Sequence, residues 1–421
     1  MTRVPSSILL SVFFLAAAFF VHAESEVQEL SLADVRTLAL ERNPELRRLE
    51  AEQATTLRNA ANTLGNVLPS IQLEASAIPL ADSAQTGDSN IHVGIKSTLR
   101  LSADTVLADS AESLQADVAR LTLDRQKQLV INKVTILYYS VLLSEKKIQV
   151  YESFLRSATT RLSREDALLG KGLGSILARL TAEESVLKKA TAINLERNAR
   201  EKILRELVEV TGLPEDMTVR LTDSLDSSVA LSLPLRSGSY ESRPDIQSAR
   251  IQVRLAVLET ERAKWQNRGP SLSLAAGYTL GLGSSVSGSP VLSLGLLVPV
   301  DSWIPGSAGD MAISAEKDTL ATRTIELENA TRTAGREIAD AADGLKDARV
   351  RLADQSAIVK VALERYTIRS RLYESGTIDA TSFSDDEDSY LQTELDAAQS
   401  AFDVFIADAE LVYASGSVQT R

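Results

Sequence analysis

The chain has no cysteine and almost no histidine, and these two absences remove most enzymatic interpretations. Its 421 residues include two histidines, His22 and His92, and no Cys. Without a thiol the chain can form no disulfide and carry no lipid on cysteine. Ser–His and Cys–His nucleophile pairs and His-rich metal sites are nearly excluded as well. We therefore expect no catalytic residues, no metal site and no cofactor, and predict that the protein is not an enzyme.

Basic clusters and long apolar helices are also missing. The net charge is −12, and there is no basic stripe, which argues against a nucleic-acid partner. The N-terminus combines Arg3, an apolar stretch over 8–21 and the small residue Ala23, the pattern of a secretory signal. A membrane anchor is the weaker alternative, because the stretch is short for a bilayer span. Residues 1–23 are predicted to be a signal peptide.

What the chain does contain is an internal repeat of roughly 200 residues, which indicates duplication of a whole half. The stretches 43–77 and 243–278 both have Pro, an acid and an aliphatic residue directly after their first residue, continue with a helical pattern and end in Pro-Ser and an alternating segment. We expect a first repeat over 24–212, a Pro/Ser/Asp-rich connector over 213–240 and a second repeat over 241–421.

Each repeat contains a pair of segments in which apolar and polar residues alternate. Each segment has about ten residues, the length and period of a tilted membrane-spanning strand. Two hairpins of a soluble sheet remain an alternative. Four strands cannot close a barrel, and lipid does not tolerate an open edge, so several chains would have to complete it. The predicted strands cover 70–82, 90–101, 271–281 and 290–300, with a Gly/Ser-rich turn over 281–290.

The remaining sequence is helical. The segments 104–169 and 308–375 lack proline and carry apolar heptads, which predict coiled-coil packing. Each long helix ends at a glycine-containing turn, over 170–176 and 374–380, and a second helix returns from it. A soluble helical bundle explains the heptads equally well, but it does not explain the strand pairs between them.

These features resemble the TolC family of outer-membrane efflux proteins. The resemblance is carried by "LSLADVRTLALERNPELRRLEAE" at 30–52, the "LPS" and "GPS" helix-to-strand junctions, "SRPDIQSAR" at 242–250 and the two glycine turns. It implies a mainly helical fold in which long coiled-coil hairpins form a trimeric α-barrel. Four strands per chain then contribute to a 12-stranded transmembrane barrel.

Membership also implies a location and partners. The chain would be a homotrimer in the outer membrane of a Gram-negative-type envelope, with a periplasmic extension. It would act as the exit duct of a tripartite efflux or type I secretion system. A periplasmic adaptor protein and an inner-membrane transporter would be its partners. Gly172 and Leu173 at the first tip, and Gly376 and Thr377 at the second, match the positions where adaptors dock in this family.

The resemblance is incomplete near the tips. Counting from each glycine, relatives often have Asp at the sixth position, where this chain has Ala178 and Ser382. Two positions after the second glycine, some relatives carry a basic residue that helps close the tunnel, and this chain has Ile378. The acid at the ninth position, Asp385, is retained.

Asp385 opens the densest acidic run in the chain, which continues through Asp388. Four consecutive helical residues fan around the helix and cannot all face one point, which disfavours a metal cage. Extending the C-terminal heptad places Asp388 on the apolar seam and Asp385 near it. These two are predicted to form an acidic pore ring in a trimer. Asp386 and Glu387 are expected to point away, at a helix start that Ser384 and Glu387 cap.

Two other functions stay open. The first is a periplasmic coiled-coil structural or adaptor-like protein without a pore, which the heptads alone would support. The second is a hydrolase that uses the acidic run, which the lack of His and Cys disfavours.

Overall fold

A computed structural model describes residues 28–61, 68–79, 89–214, 219–233, 239–282 and 286–417. The predicted signal peptide, 1–23, lies outside these residues. The described part is mainly helical with one four-stranded sheet, so the predicted fold class is confirmed. The chain divides into two compact units. Unit 1 comprises Met1–Asn43, Lys133–Ser232 and Ala348–Ile406, and unit 2 comprises Pro44–Asn132, Leu233–Asp347 and Ala407–Arg421.

Local sequence signals explain where several helices begin. Ser31 caps the first helix, and Asp34 bonds back to it, forming a capping box. Pro244 starts the sixth helix, at the position where its missing N–H costs nothing. The helices are α1 Leu32–Arg42, α2 Pro44–Ala61, α3 Ala103–Gly170, α4 Ile176–Thr211, α5 Ser227–Ser232, α6 Pro244–Arg268, α7 Ala308–Glu374 and α8 Ala380–Ala414.

Two sheets are present among the described residues. A small parallel sheet pairs a strand that precedes the first helical hairpin, formed by α3 and α4, with a strand that follows it, and this pairing was not predicted from the sequence. The larger sheet is antiparallel throughout, in the order β2-β3-β5-β6, so its two central strands come from different repeats. The strands are β1 Gln28–Leu30, β2 Ser70–Pro79, β3 Ser89–Leu101, β4 Val219–Leu221, β5 Ser271–Leu282 and β6 Val286–Leu297.

The last strand differs from its prediction. It begins at Val286, inside the Gly/Ser-rich segment that was expected to be a turn, and ends at Leu297. Its partner β5 continues to Leu282, and the paired register runs to the Leu282–Val286 pair. Hydrogen bonding to a long partner strand thus overrides the low strand propensity of Gly and Ser.

Backbone caps repeat between the halves. Gly172 and Gly376 both have positive φ, and each N–H bonds a carbonyl of the preceding helix. The following residue bonds one carbonyl further back, which is the Schellman arrangement. Gly212 and Gly416 end α4 and α8 in the same way, and both pairs of glycines are separated by the same number of residues.

The repeat also preserves a side-chain bond within each unit. In unit 1, Asn43 Nδ2 donates to the Val210 carbonyl at the end of α4, over 2.6 Å. In unit 2, Arg243 donates to the Ala414 carbonyl at the end of α8, over 3.1 Å. Two different side chains therefore cap equivalent helix ends.

No helix in the described part of the chain is long and apolar enough to cross a membrane.

Candidate functional site

The acidic run lies inside the first turns of α8 rather than at its start. The helix begins at Ala380, and the Asp379 carboxylate accepts a hydrogen bond of 2.8 Å from the Ser382 backbone N–H. That bond is the main reason why the pKa of Asp379 is lowered. The predicted cap formed by Ser384 and Glu387 is therefore wrong, because Asp379 performs this role one turn earlier.

Asp386 and Glu387 are buried, which contradicts the prediction that they point away. Their exposed fractions are 5% and 0%. In the structure, the buried residue that precedes Leu391 in the apolar seam is Glu387, four positions earlier. The prediction had counted back three positions and placed Asp388 in the seam. Both steps are allowed in a heptad pattern. The burial of these residues decides between them.

Glu387 joins α8 to the first hairpin within unit 1. One carboxylate oxygen lies 2.9 Å from Arg161 Nη1 on α3 and 3.4 Å from Lys189 Nζ on α4. The other accepts a 2.8 Å hydrogen bond from Ser157. Arg161 and Lys189 are as buried as Glu387. Removing one member would leave buried charge without compensation, so this group is costly to disrupt.

Asp386 joins α8 to α7. Arg365 Nη2 lies 2.6 Å from one of its oxygens, and Arg369 Nε donates to the other. Burial raises the pKa of Asp386, but the hydrogen bonds from Arg365 and Arg369 outweigh it, so the net pKa is lowered. The carboxylate is therefore held ionised, with both oxygens occupied.

Asp385 and Asp388 share the exposed side of α8. Asp388 pairs with Lys189 Nζ at 2.9 Å, although about half of its side chain remains exposed. No ion pair or hydrogen bond joins the Asp385 carboxylate to another described residue. The nearby Lys188 is under the electrostatic influence of both acids. Asp385 thus presents its full charge to solvent, whereas the charge of Asp388 is partly neutralised.

A stack of aromatic rings runs beside the acidic run. The rings of Tyr390 and Tyr366 stack at 5.0 Å, Tyr366 and Phe383 at 5.9 Å, and Phe383 and Tyr373 at 4.8 Å. The Tyr373 hydroxyl donates to Glu165 on α3. Burial and this carboxylate together raise the pKa of Tyr373. Stacked rings and ion pairs therefore stabilise the second hairpin, which is formed by α7 and α8. Heptad spacing alone did not reveal these contacts.

The two turns expose different side chains. At the first, the exposed Leu173 follows Gly172, and Ile176 and Leu177 are exposed beside it. At the second, the exposed Thr377 follows Gly376, and its hydroxyl lies 2.9 Å from that of Ser375. The first tip is thus apolar and the second is polar.

Ala178 and Ile378, the positions where relatives carry an acid and a base, take part in one apolar cluster. Both pack against the buried group formed by Tyr373, Ala380 and Phe383. Apolar contact therefore replaces charge at this point. Within the described residues, no group of three or more His, Cys, Asp or Glu side chains could hold a metal ion.

Comparison with known proteins places this architecture in a class. The fold matches that of CusC, at 17% identity over 91% of this chain and 92% of that chain, with a TM-score of 0.76. It matches the Campylobacter jejuni CmeC outer membrane channel at 16% identity over 91% and 85%, with a TM-score of 0.76. The open state of the Neisseria gonorrhoeae MtrE outer membrane channel matches at 18% over 91% and 88%, with a TM-score of 0.73. The chain has the fold of TolC-like channels.

The sequence of the first part of the chain matches a known family. Residues 35–213 match the family described as "Outer membrane efflux protein". A search of curated proteins found no match. The family match covers the first part of the chain, and the shared fold covers nearly all of it. These findings support an outer-membrane transport protein, and TolC-like channels of this kind generally form trimers with efflux partners.

Proposed function

We propose that three copies of the chain form a continuous exit duct through the outer membrane. In this proposal, an inner-membrane transporter and a periplasmic adaptor deliver small molecules or polypeptides to the duct. The observation that carries the proposal is the four-stranded sheet, whose apolar side chains lie on an exposed face. The mature chain would begin after residue 23, and the two repeats would each supply one strand pair and one hairpin.

The pairing register gathers the apolar residues on one face. Leu272 pairs with Leu296 and Leu274 with Leu294, and all four are exposed. The alternate positions, which project from the opposite face, include Gln72, Glu74, Lys96 and Ser273. A soluble sheet would cover its apolar face, whereas a strand in a membrane barrel turns that face toward lipid.

The sheet's edges support assembly from several chains. Among the described residues, β2 pairs with β3 alone and β6 with β5 alone. Unpaired backbone groups at such edges are costly in lipid, so the edges need partners. Pairing of β6 of one copy with β2 of the next satisfies both edges, and three copies give the twelve strands of the proposed barrel.

Charge placed on each face tests this proposal. Leu294→Arg puts a charge on the apolar face and should cost about 2–4 kcal/mol of insertion free energy near the bilayer centre. Ser293→Arg, its neighbour on the opposite face, is the matched control and should insert normally. We expect wild-type heat-sensitive trimers in outer-membrane fractions and ion conductance in planar bilayers. A non-conducting monomer in the soluble periplasm would refute the duct.

Asp385 and Asp388 would form the acidic ring of the aperture. Three copies of the solvent-facing Asp385 would attract cations and repel anions, and Asp388 would contribute less because Lys189 pairs with it. The double change Asp385→Asn plus Asp388→Asn should raise anion conductance relative to cation conductance. Most of the effect should come from Asp385→Asn alone. Unchanged ion selectivity would rule the ring out.

The tips would dock the adaptor through Gly172, Leu173, Gly376 and Thr377. The exposed aliphatic side chains at the first tip fit an apolar helical hairpin, while the second tip offers hydroxyls. A photoreactive residue at Leu173 should crosslink to an adaptor in intact cells. The same probe at Ser232, in the α5 segment, should not.

A further inference from the structure

A cavity of about 340 Å³ lies within unit 1, between α3, α7 and α8. Its lining includes Phe154 and Ser157 on α3, Tyr366 on α7, and Tyr390 and Glu394 on α8. The volume falls in the range of small-ligand pockets, roughly 300–1,000 Å³. Neither the proposed duct nor the docking tips use these residues. The cavity is therefore a separate candidate for ligand binding.

Phe154 and Tyr390 form a corner of this cavity, and Tyr366 is stacked with both Tyr390 and Phe383. Tyr366 and Tyr390 stack at 5.0 Å with 22° between their planes. Phe154 lies 5.6 Å from Tyr390 and 6.3 Å from Tyr366, tilted by about 55° to both. Ring faces carry negative electrostatic potential, so such a corner attracts a cation that loses its water. Rings set at different angles can contact a round cationic head from more than one side.

The Glu394 carboxylate lies beside the rings. The Tyr390 hydroxyl donates to Glu394 Oε1 over 2.5 Å, which fixes the carboxylate against the ring. Burial and the carboxylate raise the pKa of Tyr390, so the phenol stays neutral and acts as a donor. The second oxygen of Glu394 has no hydrogen bond to any described residue. That oxygen can accept the charge of a ligand.

One positive side chain also lines the cavity. Lys146 extends from α3 and is exposed, and its charge acts on Asp226. An anion held by Lys146 would have to approach Glu394 and the ring faces of Phe154 and Tyr390, which repel it. The balance of rings and carboxylate against one solvated amine favours a cationic ligand.

We propose that this cavity binds a small organic cation of the quaternary-ammonium class. The Phe154 and Tyr390 rings contact its alkylated head, Tyr366 positions Tyr390 by stacking on it, and Glu394 is its counter-ion. The neutral phenols and the carboxylate select charge, and the cavity volume limits size. The inference stands on the geometry within unit 1 and does not depend on the proposed duct.

The test is binding of choline to the full chain in detergent micelles, measured by calorimetry and by saturation-transfer NMR. The uncharged isostere 3,3-dimethylbutanol is the matched ligand control. Choline should bind roughly tenfold more tightly than the isostere, from the expected worth of a desolvated cation–ring contact. Equal binding of the two, or no binding of choline at millimolar concentration, would overturn the proposal.

Charge variants decide the sign of the ligand. Glu394→Gln should weaken choline binding roughly tenfold, and Lys146→Gln should strengthen it. The opposite pattern would show an anion site and refute the proposal. Asp396→Asn removes an exposed acid on the same helix and should leave affinity unchanged.

Ring variants separate binding from folding. Tyr366→Phe keeps the ring and should keep choline affinity, whereas Tyr366→Leu should reduce it. If the leucine variant fails to fold, the comparison of Tyr366→Phe with Glu394→Gln still decides. Loss of affinity in the phenylalanine variant, with Glu394→Gln unaffected, would contradict an aromatic cation site.

Discussion

The two helical hairpins turn with the same backbone but are held by different chemistry. Gly172 and Gly376 adopt the same left-handed conformation and the same pair of hydrogen bonds. Around the first glycine the side chains are aliphatic and exposed. Around the second they are stacked rings and buried ion pairs. Duplication has preserved the fold of the turn, and the side chains have diverged into an exposed apolar tip and an internally fixed one.

Glu387 is where the second hairpin depends most on the first. Glu387→Gln leaves Arg161 and Lys189 buried with less compensation, so we expect a loss of about 3–5 kcal/mol in unfolding free energy. Asp385→Asn is the matched control: it makes the same change of charge two residues away, on the exposed side, and should change stability by less than about 0.5 kcal/mol. Thermal unfolding followed by circular dichroism measures both. Equal losses of unfolding free energy in the two variants would show that the buried network around Glu387 does not stabilise the fold.

Replacing the turn glycine by alanine should lower the free energy of unfolding by the same amount at both tips. Gly172→Ala and Gly376→Ala each force a side chain into the left-handed region, at about 1–2 kcal/mol apiece. A Cβ at either position would meet no atom within 4 Å, so backbone strain is the whole effect. Gly170→Ala, which also has open space and ordinary φ, is the control and should be neutral or slightly stabilising. A cost at Gly376 far above that at Gly172 would show that the two turns are not equivalent.

As the pH is lowered, the second hairpin should lose stability before the first. The folded-state pKa of Asp386 is lowered, so its ion pairs stabilise the fold fully above the unfolded-state pKa, about 3.9. This contribution is lost as the pH falls through the folded-state value. In Asp386→Asn that part of the acid sensitivity should disappear. Hydrogen exchange of α7 and α8 amides between about pH 2 and pH 4 measures it, and an unchanged profile in the variant would contradict the assignment.

The smallest effect on stability is expected at the first tip. Leu173→Ser and Leu177→Ser change exposed side chains, so the unfolding free energy should shift by less than about 0.5 kcal/mol. If the first tip docks an adaptor as proposed, crosslinking should nevertheless fall, because the exposed apolar side chains are gone. Thr377→Ser, which keeps the hydroxyl, is the control. A large loss of stability would mean that the first tip is structural, as the second is.

The sequence was sufficient for features that repeat or have a fixed period. The strand pairs, the long helices, the glycine turns and the family resemblance all follow from such patterns. It was not sufficient for the acidic run, because a heptad permits a step of three or four, and one residue decides whether Asp388 or Glu387 is buried. The partners of Glu387 lie on α3 and α4, far away in sequence. The pairing of β1 with β4 was missed for the same reason, since three-residue strands carry no detectable period.

The edge strands of the large sheet also bear on how the protein matures. A single chain has the outer edges of β2 and β6 unpaired among its described residues, together with an apolar face. Helical hairpins rely on contacts close in sequence and can form within one chain, whereas in the proposed duct the sheet is completed by other copies. If the duct forms as proposed, each newly made chain has unpaired strand edges that favour association until it meets other copies. The amount of assembled duct should consequently rise more than linearly with the concentration of the chain. It should also depend on factors that cover the edges of β2 and β6 before assembly.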